Sequence, residues 1–316
     1  MKAVSGLAWA ALLVASVALL PSAVADEPEG VGLTVLLFHP DDGVDPLGIA
    51  YQGSDPFAVR YSPLVAEKGR FDFPFFVADG VLPIESIPDP AQPYASARSA
   101  YDQAIAARMP EEAPVALTLR SLVAGRQVVA SVSIQPQAQL AGEDLHLWLA
   151  VAEDHVEYQP PPGLTNGVTD HRFTVRAVRD LGTVDLSGPL NLTATFALDD
   201  AWQRSELSIA AWLQQDAPSP RFDAREVVQA THAPLGATQV QTVKGVLAEM
   251  LSATWCDPCL YGDKAIEDIA VVRGIAEPGE PEPTSRYLEW ATRDGLPVGL
   301  AAAAGLALAM LARRLP

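Results

Sequence analysis

The sequence has only two cysteines in 316 residues, and both fall in one Cys-x-x-Cys pair, Cys256 and Cys259. A zinc site of four cysteines needs a second pair, so that kind of metal site is excluded. Covalent haem attachment needs a histidine directly after the second cysteine, and Leu260 stands there. Two interpretations of the pair remain open, a redox-active dithiol and a structural disulfide.

Basic residues are also scarce, with 21 Lys and Arg against 39 Asp and Glu and a net charge of −18. This imbalance argues against binding to nucleic acid and to anionic lipid headgroups. The sequence contains no glycine-rich phosphate loop, no Ser/His/Asp order and no carboxylate pair at glycosidase spacing. The histidines have no fixed local spacing, so we expect neither a metal site nor a bound cofactor.

The cysteine pair lies between a buried-strand pattern at 246–251 and an apolar helical pattern that follows it. At a helix N-terminus the first thiol, Cys256, meets unpaired amide groups, which favour the thiolate. The second thiol, Cys259, is one turn further on and can attack a mixed disulfide. Pro258 suits the first helical turn. The carboxylate of Asp257 raises the thiol pKa, so we expect only a modest depression and a reducing poise.

Trp255-Cys256-Asp257-Pro258-Cys259 after a buried strand resembles the thioredoxin superfamily, whose sites read Trp-Cys-x-Pro-Cys. The resemblance implies that Cys256 attacks and that Cys259 resolves the mixed disulfide. It also implies a buried acid on the preceding strand. Glu249 is the candidate, either as a proton shuttle or, if strand alternation turns it outward, as a surface charge.

Thioredoxin-like proteins carry a cis-proline at the head of the strand that faces the dithiol. Pro74, between Phe73 and Phe75 and ahead of an Asp-Gly turn, matches that position. A cis bond would leave the Phe73 backbone free to pair with an extended substrate. An ordinary trans proline at a strand start stays open as the alternative.

The order of elements predicts a thioredoxin-like α/β fold in circularly permuted order. Residues 31–109 supply its later elements, and residues 245–272 supply the strand and the Cys-x-x-Cys helix. The strands at 33–38 and 246–251 should then be adjacent and parallel. Between these halves, about seven short alternating runs in 113–231 predict an inserted all-β, immunoglobulin-like sandwich.

This combination is similar to a bacterial family of outer-membrane-associated lipoproteins that join a thioredoxin domain to a sandwich. The similarity covers most of residues 31–270, with the Cys-x-x-Cys half displaced to the end. The motifs that carry it are His39-Pro40, Asp55-Pro-Phe, Arg60-Tyr61, Asp79-Gly80, Val151-Ala-Glu-Asp154 and His171-x-x-x-Val-Arg176.

Both ends of the chain are hydrophobic. A basic start, a short apolar core and an Ala-x-Ala exit predict a secretory signal peptide over 1–25. An uncharged run at 295–312 followed by two arginines predicts a transmembrane helix, with the main domains outside the cell membrane and the C-terminus inside. A surface sorting signal that is later removed is the alternative for this run.

We therefore predict a membrane-anchored extracytoplasmic thiol-disulfide oxidoreductase that acts on protein thiols and disulfides with an unidentified redox partner. The alternative is a non-catalytic surface interaction protein with a structural Cys256–Cys259 bridge. The predicted segments are a signal peptide (1–25), a first thioredoxin-like part (31–110), a sandwich (113–232), a second thioredoxin-like part (240–275), an acidic Pro-rich linker (276–294), a transmembrane helix (295–312) and a basic tail (313–316).

Overall fold

The structure, a computed structural model, describes residues 32–40, 45, 47–48, 56–61, 73–158 and 168–275. The predicted signal peptide, linker, transmembrane helix and basic tail lie outside these residues. The helices are α1 (Pro56–Tyr61), α2 (Pro93–Arg108) and α3 (Cys259–Val272), with a 3-10 turn at Arg204–Glu206.

The strands fall into two sheets and a small hairpin. In chain order they are β1 (Leu33–Phe38), β2 (Phe75–Ala78), β3 (Leu82–Glu85), β4 (Val115–Ala124), β5 (Gln127–Pro136), β6 (Leu145–Glu153), β7 (Val156–Glu157), β8 (Asp170–His171), β9 (Thr174–Val184), β10 (Leu190–Ala197), β11 (Leu207–Gln215), β12 (Val227–Pro234), β13 (Thr238–Gln241) and β14 (Val246–Leu251).

Strands from the two ends of the described chain lie side by side. β1 pairs with β14 in parallel over six residues, from Leu33 opposite Val246 to Phe38 opposite Leu251. β14 also pairs antiparallel with β2, and β2 with β3. Every residue of β1 and β14 is buried, as expected for central strands that are covered on both faces. The predicted parallel contact is confirmed.

The eight-stranded sheet continues without a break into the region predicted as a separate sandwich. Its order is β12-β11-β6-β9-β1-β14-β2-β3, because β9 joins β1 where Leu37 lies opposite Thr174. A second sheet, β10-β5-β4-β13, contributes Leu117, Val132 and Phe196 to one apolar core with Leu147 and Ile209 of the large sheet. The alternating strands were predicted close to where they occur.

The predicted fold class is nevertheless wrong. Strands hold 44% of the described residues and helices 17%, so the chain is mainly β rather than an α/β domain with a distinct all-β insertion. Alternation along a strand predicts its two faces but not the sheet that it joins, and the β9–β1 junction merges the two regions.

The fold class also included a C-terminal transmembrane helix, which the structure does not support. Within the described residues, none of the helices has both the length and the apolar character needed to cross a bilayer. The prediction rested on the length of an Ala- and Gly-rich run at 295–312, whose hydrophobicity is modest. The predicted domain boundaries stay a prediction.

Candidate functional site

The two cysteines form a disulfide at the N-terminus of α3. Cys256 precedes the helix, Pro258 is its N-cap residue and Cys259 is its first residue. The backbone N–H of Cys259 donates to the Cys256 Sγ at 3.2 Å. This is the contact expected of a sulfur at the positive end of a helix dipole, where a thiolate is stabilised.

Pro74 directly precedes β2, the strand next to the disulfide, and the Phe73–Pro74 peptide bond is cis, as predicted. The Phe73 ring packs against the small cluster of Ala253, Cys256 and Cys259. The cysteines are therefore next to the proline-led strand, although more than 180 residues separate the two in the sequence.

Gly262 sets the distance between α3 and this strand. A Cβ atom on Gly262 would lie 2.9 Å from Pro74 Cγ and 3.2 Å from the Met250 sulfur. The first distance is shorter than real Cβ atoms show, so Pro74 or the helix would have to shift, and the second is tight. The absence of a side chain at Gly262, one turn after Cys259, lets the helix that bears the cysteines touch Pro74.

The residues between and before the cysteines form the exposed rim of the site. Trp255 is 39% exposed, and its ring lies 5.1 Å from that of Phe73, tilted by 58°. Asp257 and Pro258 are also exposed. Cys256 is 5% exposed and Cys259 is fully buried. An incoming sulfur would therefore reach Cys256 first, past an aromatic surface formed by Trp255 and Phe73.

Glu249 does not share this site. Successive strand residues point to opposite faces of a sheet, and it is Ala248 and Met250 that pack in the same core as α3. The Glu249 carboxylate is fully buried on the other face, where it pairs with Arg60 at 2.5 Å and accepts a hydrogen bond from the Tyr61 hydroxyl. It is therefore neither exposed nor directed at the helix that carries the cysteines.

Three polar residues near the disulfide were not predicted as site residues: His39, Asp45 and Asp263. All three are buried, at 2%, 6% and 2% exposure. Asp263 lies four residues after Cys259 in α3, a spacing that puts both on one helix face. The predicted helix could therefore have identified Asp263 as a neighbour of Cys259. His39 had no evident partner in the sequence, and the structure supplies Asp45, with 3.1 Å between the His39 Nδ1 and an Asp45 carboxylate oxygen.

Burial raises the pKa of Asp263 to about 7, although the Ser252 hydroxyl and His39 act in the opposite direction. Burial acts on Asp45 in the same way, but hydrogen bonds from His39, Thr254 and Leu47 more than offset it and hold its pKa below the usual value. A carboxyl group that changes protonation near neutral pH is suited to proton transfer.

Two further histidines have polar or aromatic partners of their own. His155 Nδ1 lies 2.9 Å from Asp170, and the buried His171 ring meets that of His39 edge-on at 5.4 Å. Burial lowers the pKa of His171 to about 3, so this ring is neutral. No cluster of three metal-ligating side chains occurs in the part of the chain that the structure describes.

No family model matches this chain, and no curated protein matches it significantly. Among solved structures it is similar to HBP35 of Porphyromonas gingivalis, at 15% identity and a TM-score of 0.41, with 58% of this chain and 61% of that one covered. A domain of the outer membrane lipoprotein Omp28 from the same organism has 14% identity and a TM-score of 0.26, with 39% of this chain and 97% of that domain covered.

Beta-glucosidase 3B from Thermotoga neapolitana matches 40% of this chain at 9% identity and a TM-score of 0.21, with 16% of the glucosidase covered. This chain thus spans about three fifths of the length of HBP35. At these TM-scores the likenesses assign neither an activity nor a partner to this chain.

Proposed function

We propose that this protein exchanges disulfides with other proteins outside the cytoplasm, through Cys256 and Cys259. One observation carries the proposal: the only cysteine pair of the chain forms a disulfide at a helix N-terminus, packed against the residue that precedes a cis-proline. The signal peptide predicted from residues 1–25 supports an oxidising compartment, where such a disulfide persists.

In the proposed reaction, the Cys256 thiolate attacks a disulfide sulfur of the substrate and forms a mixed disulfide, while one substrate thiolate leaves. Cys259 then loses its proton and attacks the Cys256 sulfur. That step closes the Cys256–Cys259 disulfide and releases the second substrate thiolate. The exchange runs in reverse when the protein starts oxidised and the substrate reduced. Trp255 and Phe73 contact apolar groups that flank the substrate cysteine.

A second candidate function is a non-catalytic interaction protein with a structural disulfide. The low exposure of Cys256 favours it, since an attacking thiol must be reached by its substrate. The two candidates differ in whether a folded protein substrate becomes covalently attached.

The experiment is a trapping assay on the full-length chain with insulin, whose disulfides are accessible. The Cys259→Ser variant retains the attacking thiol but cannot resolve the mixed disulfide. We expect it to form a reductant-sensitive adduct with an insulin chain, located on Cys256 by mass spectrometry. The matched control is the double variant Cys256→Ser, Cys259→Ser, which should form none. No adduct with either variant would favour the structural disulfide.

A further inference from the structure

β10 is an edge strand whose outer side is regular and pairs with no other described strand. On its inner side it pairs with β5 over eight residues without a register shift. The ladder continues where the Leu198 N–H donates to the Arg126 carbonyl. Hydrogen-bonded and non-hydrogen-bonded positions alternate in an antiparallel pair, so the even-numbered residues of β10 bond to β5. The backbone groups of its odd-numbered residues therefore point outward, those of Asn191, Thr193, Thr195 and Ala197.

Two other strand edges carry features that oppose pairing with a further strand. β3 has only four residues, and these include Pro83, which cannot donate a hydrogen bond, and the charged Glu85. β9 pairs with β1 at a single position, has register shifts against β6, and carries Arg179 and Asp180 in its free part. β10 has no proline, no charged residue and no register shift. An edge of this kind is a template for another strand.

The inner face of β10 is incompletely covered toward its open side. Ala194 and Phe196 are buried in the core between the two sheets. Leu190 and Leu192 pack against the same core but are only partly buried. A further strand beyond β10 would cover the exposed part of both leucines, and the burial of apolar surface favours association.

Charge restricts what can lie against this edge. The chain carries a net charge of −18, so two copies repel each other unless the surfaces that meet are uncharged. β10 offers such a surface, since all of its residues are uncharged. Just beyond it, the exposed Asp200 pairs with Arg126 at 2.9 Å, so the charges there compensate each other. A basic partner strand would find no carboxylate on β10, whereas β10 of a second copy is uncharged in the same way.

We propose that two copies of this chain associate through β10, antiparallel to each other and with Ala194 on the two-fold axis. Thr193 then lies opposite Thr195 of the other copy, and Asn191 lies opposite Ala197. All the outward backbone groups of both strands are paired in this register, in about eight hydrogen bonds, two for each of four residue pairs. The two small sheets become one sheet that continues across both copies.

The side chains of β10 also match each other in this register. On the inner face, Leu192 lies opposite Phe196 of the other copy, which covers the part of the leucine that a single copy leaves exposed. On the outer face, the hydroxyl groups of Thr193 and of Thr195 in the other copy are neighbours, and such cross-strand threonine pairs are favourable.

Registers shifted by two residues use the edge less fully. If the axis moves toward the start of β10, Pro189 enters the ladder, and proline has no N–H to donate. If the axis moves toward the end of β10, Asp199 enters it, a charged residue whose carbonyl already accepts the Trp202 N–H. The register centred on Ala194 includes neither residue.

This interface is separate from the cysteines. Phe196 belongs to the core between the two sheets, whereas Cys256 and Phe73 belong to the small cluster beside α3. The inference therefore does not depend on the proposed exchange function, and association and exchange can be measured independently.

The test is sedimentation velocity of the full-length chain in a mild detergent over a range of protein concentrations. Thr193→Pro removes one outward N–H from each copy and leaves the ladder with β5 intact, because odd-numbered residues do not bond to β5. Thr193→Val, which keeps the backbone N–H and a similar side-chain shape, is the matched control.

We expect the unmodified chain to form a dimer whose dissociation constant rises about 30-fold in Thr193→Pro, because two backbone hydrogen bonds are lost, one from each copy. Thr193→Val should leave the dissociation constant almost unchanged. A chain that sediments only as a monomer, or an association that Thr193→Pro does not weaken, would overturn the proposal. An edge that takes a strand of a different protein would leave the purified chain monomeric, and so counts against it as well.

A cross-linking measurement covers the case that Thr193→Pro does not fold. In the Cys256→Ser, Cys259→Ser background, Ala194→Cys places two thiols opposite each other at the axis, where the Cα atoms of a non-hydrogen-bonded pair are about 4.5 Å apart. This distance suits a disulfide, so mild oxidation should yield a covalent dimer. Ser131→Cys, on β5 opposite Thr193, is the control and should stay monomeric. No cross-link at position 194, or equal cross-linking at position 131, contradicts the proposed register.

Discussion

Two buried carboxylates lie on either side of the sheet near the disulfide, and their surroundings are opposites. Glu249 pairs with Arg60 at 2.5 Å, and the Arg60 guanidinium is enclosed by aromatic rings at 4.9–5.9 Å from their centroids, those of Phe38, Phe57, Tyr61, Trp148 and Trp212. Asp263 has no cation paired with it among the described residues, and burial raises its pKa to about 7. Similar burial thus yields a fixed ion pair on one face and a proton-binding group on the other.

The largest effect is expected on the ion-paired side. Arg60→Met leaves the Glu249 charge buried without its partner, and loss of one member of a buried pair typically costs about 3–5 kcal/mol. Urea unfolding of the variant should therefore show a free energy of unfolding lower by that amount at pH 7. The double variant Arg60→Met, Glu249→Gln should recover a large part of the loss. If the single variant is as stable as the unmodified protein, Glu249 is not held as described.

On the other face of the sheet, removal of the Asp263 charge should raise the free energy of unfolding at high pH rather than lower it. The pKa of Asp263 is about 7 in the folded protein, against 3.8 for a free aspartate side chain. Its stabilising contribution is therefore complete below about pH 4 and is lost as the pH rises to 7. Asp263→Asn should gain about 2–4 kcal/mol relative to the unmodified protein between pH 4 and pH 8, from the difference between these pKa values.

Urea unfolding at both pH values measures this gain, with Asp223→Asn, at an exposed aspartate outside the site, as the control that should show none. A difference that does not change with pH would mean that Asp263 is already paired or solvated.

A substitution at the contact between α3 and Pro74 should change the stability of the protein less than the two preceding variants do. In an open helical position Gly→Ala stabilises by about 0.5–1 kcal/mol. At Gly262 the new Cβ meets Pro74 Cγ at 2.9 Å, and overpacking of this kind costs about 1–3 kcal/mol. Thermal unfolding should show a lower Tm for Gly262→Ala and almost no change for Gly188→Ala, where nothing lies within 4 Å of the added atom. A higher Tm for Gly262→Ala would contradict the close approach.

The smallest effect on stability is expected at the exposed rim. Trp255→Ala should lower the free energy of unfolding by about 1 kcal/mol, since the side chain is partly exposed but loses its ring contact with Phe73. Loss of its aromatic contact should slow adduct formation with insulin about fivefold, which corresponds to about 1 kcal/mol. By contrast, Phe196→Ala, in the core between the two sheets, should cause a large loss of stability. An unchanged trapping rate in Trp255→Ala would remove this residue from the substrate surface.

The comparison also shows what the sequence could predict. The apolar runs located β1 and β14, and the resemblance of the element order and of the Cys-x-x-Cys motif to thioredoxins predicted that these strands pair and that Pro74 faces the cysteines. The continuous sheet depends on one junction, Leu37 opposite Thr174, which no local pattern indicates. Likewise the sequence suggested Glu249 as an acid of the cysteine site because it lies shortly before Cys256. In the structure its carboxylate pairs on the other face with Arg60, nearly 190 residues away.

The account depends on Cys256 as an attacking thiol in the folded protein. The most direct measurement is alkylation of the reduced, folded full-length chain with iodoacetamide at pH 7, with each cysteine followed by mass spectrometry. Because Cys256 retains some exposure and receives the Cys259 N–H, whereas Cys259 is fully buried, we predict that Cys256 is labelled first and Cys259 only after unfolding. A disulfide that resists reduction until the protein unfolds, or equal labelling of the two thiols, would contradict the account.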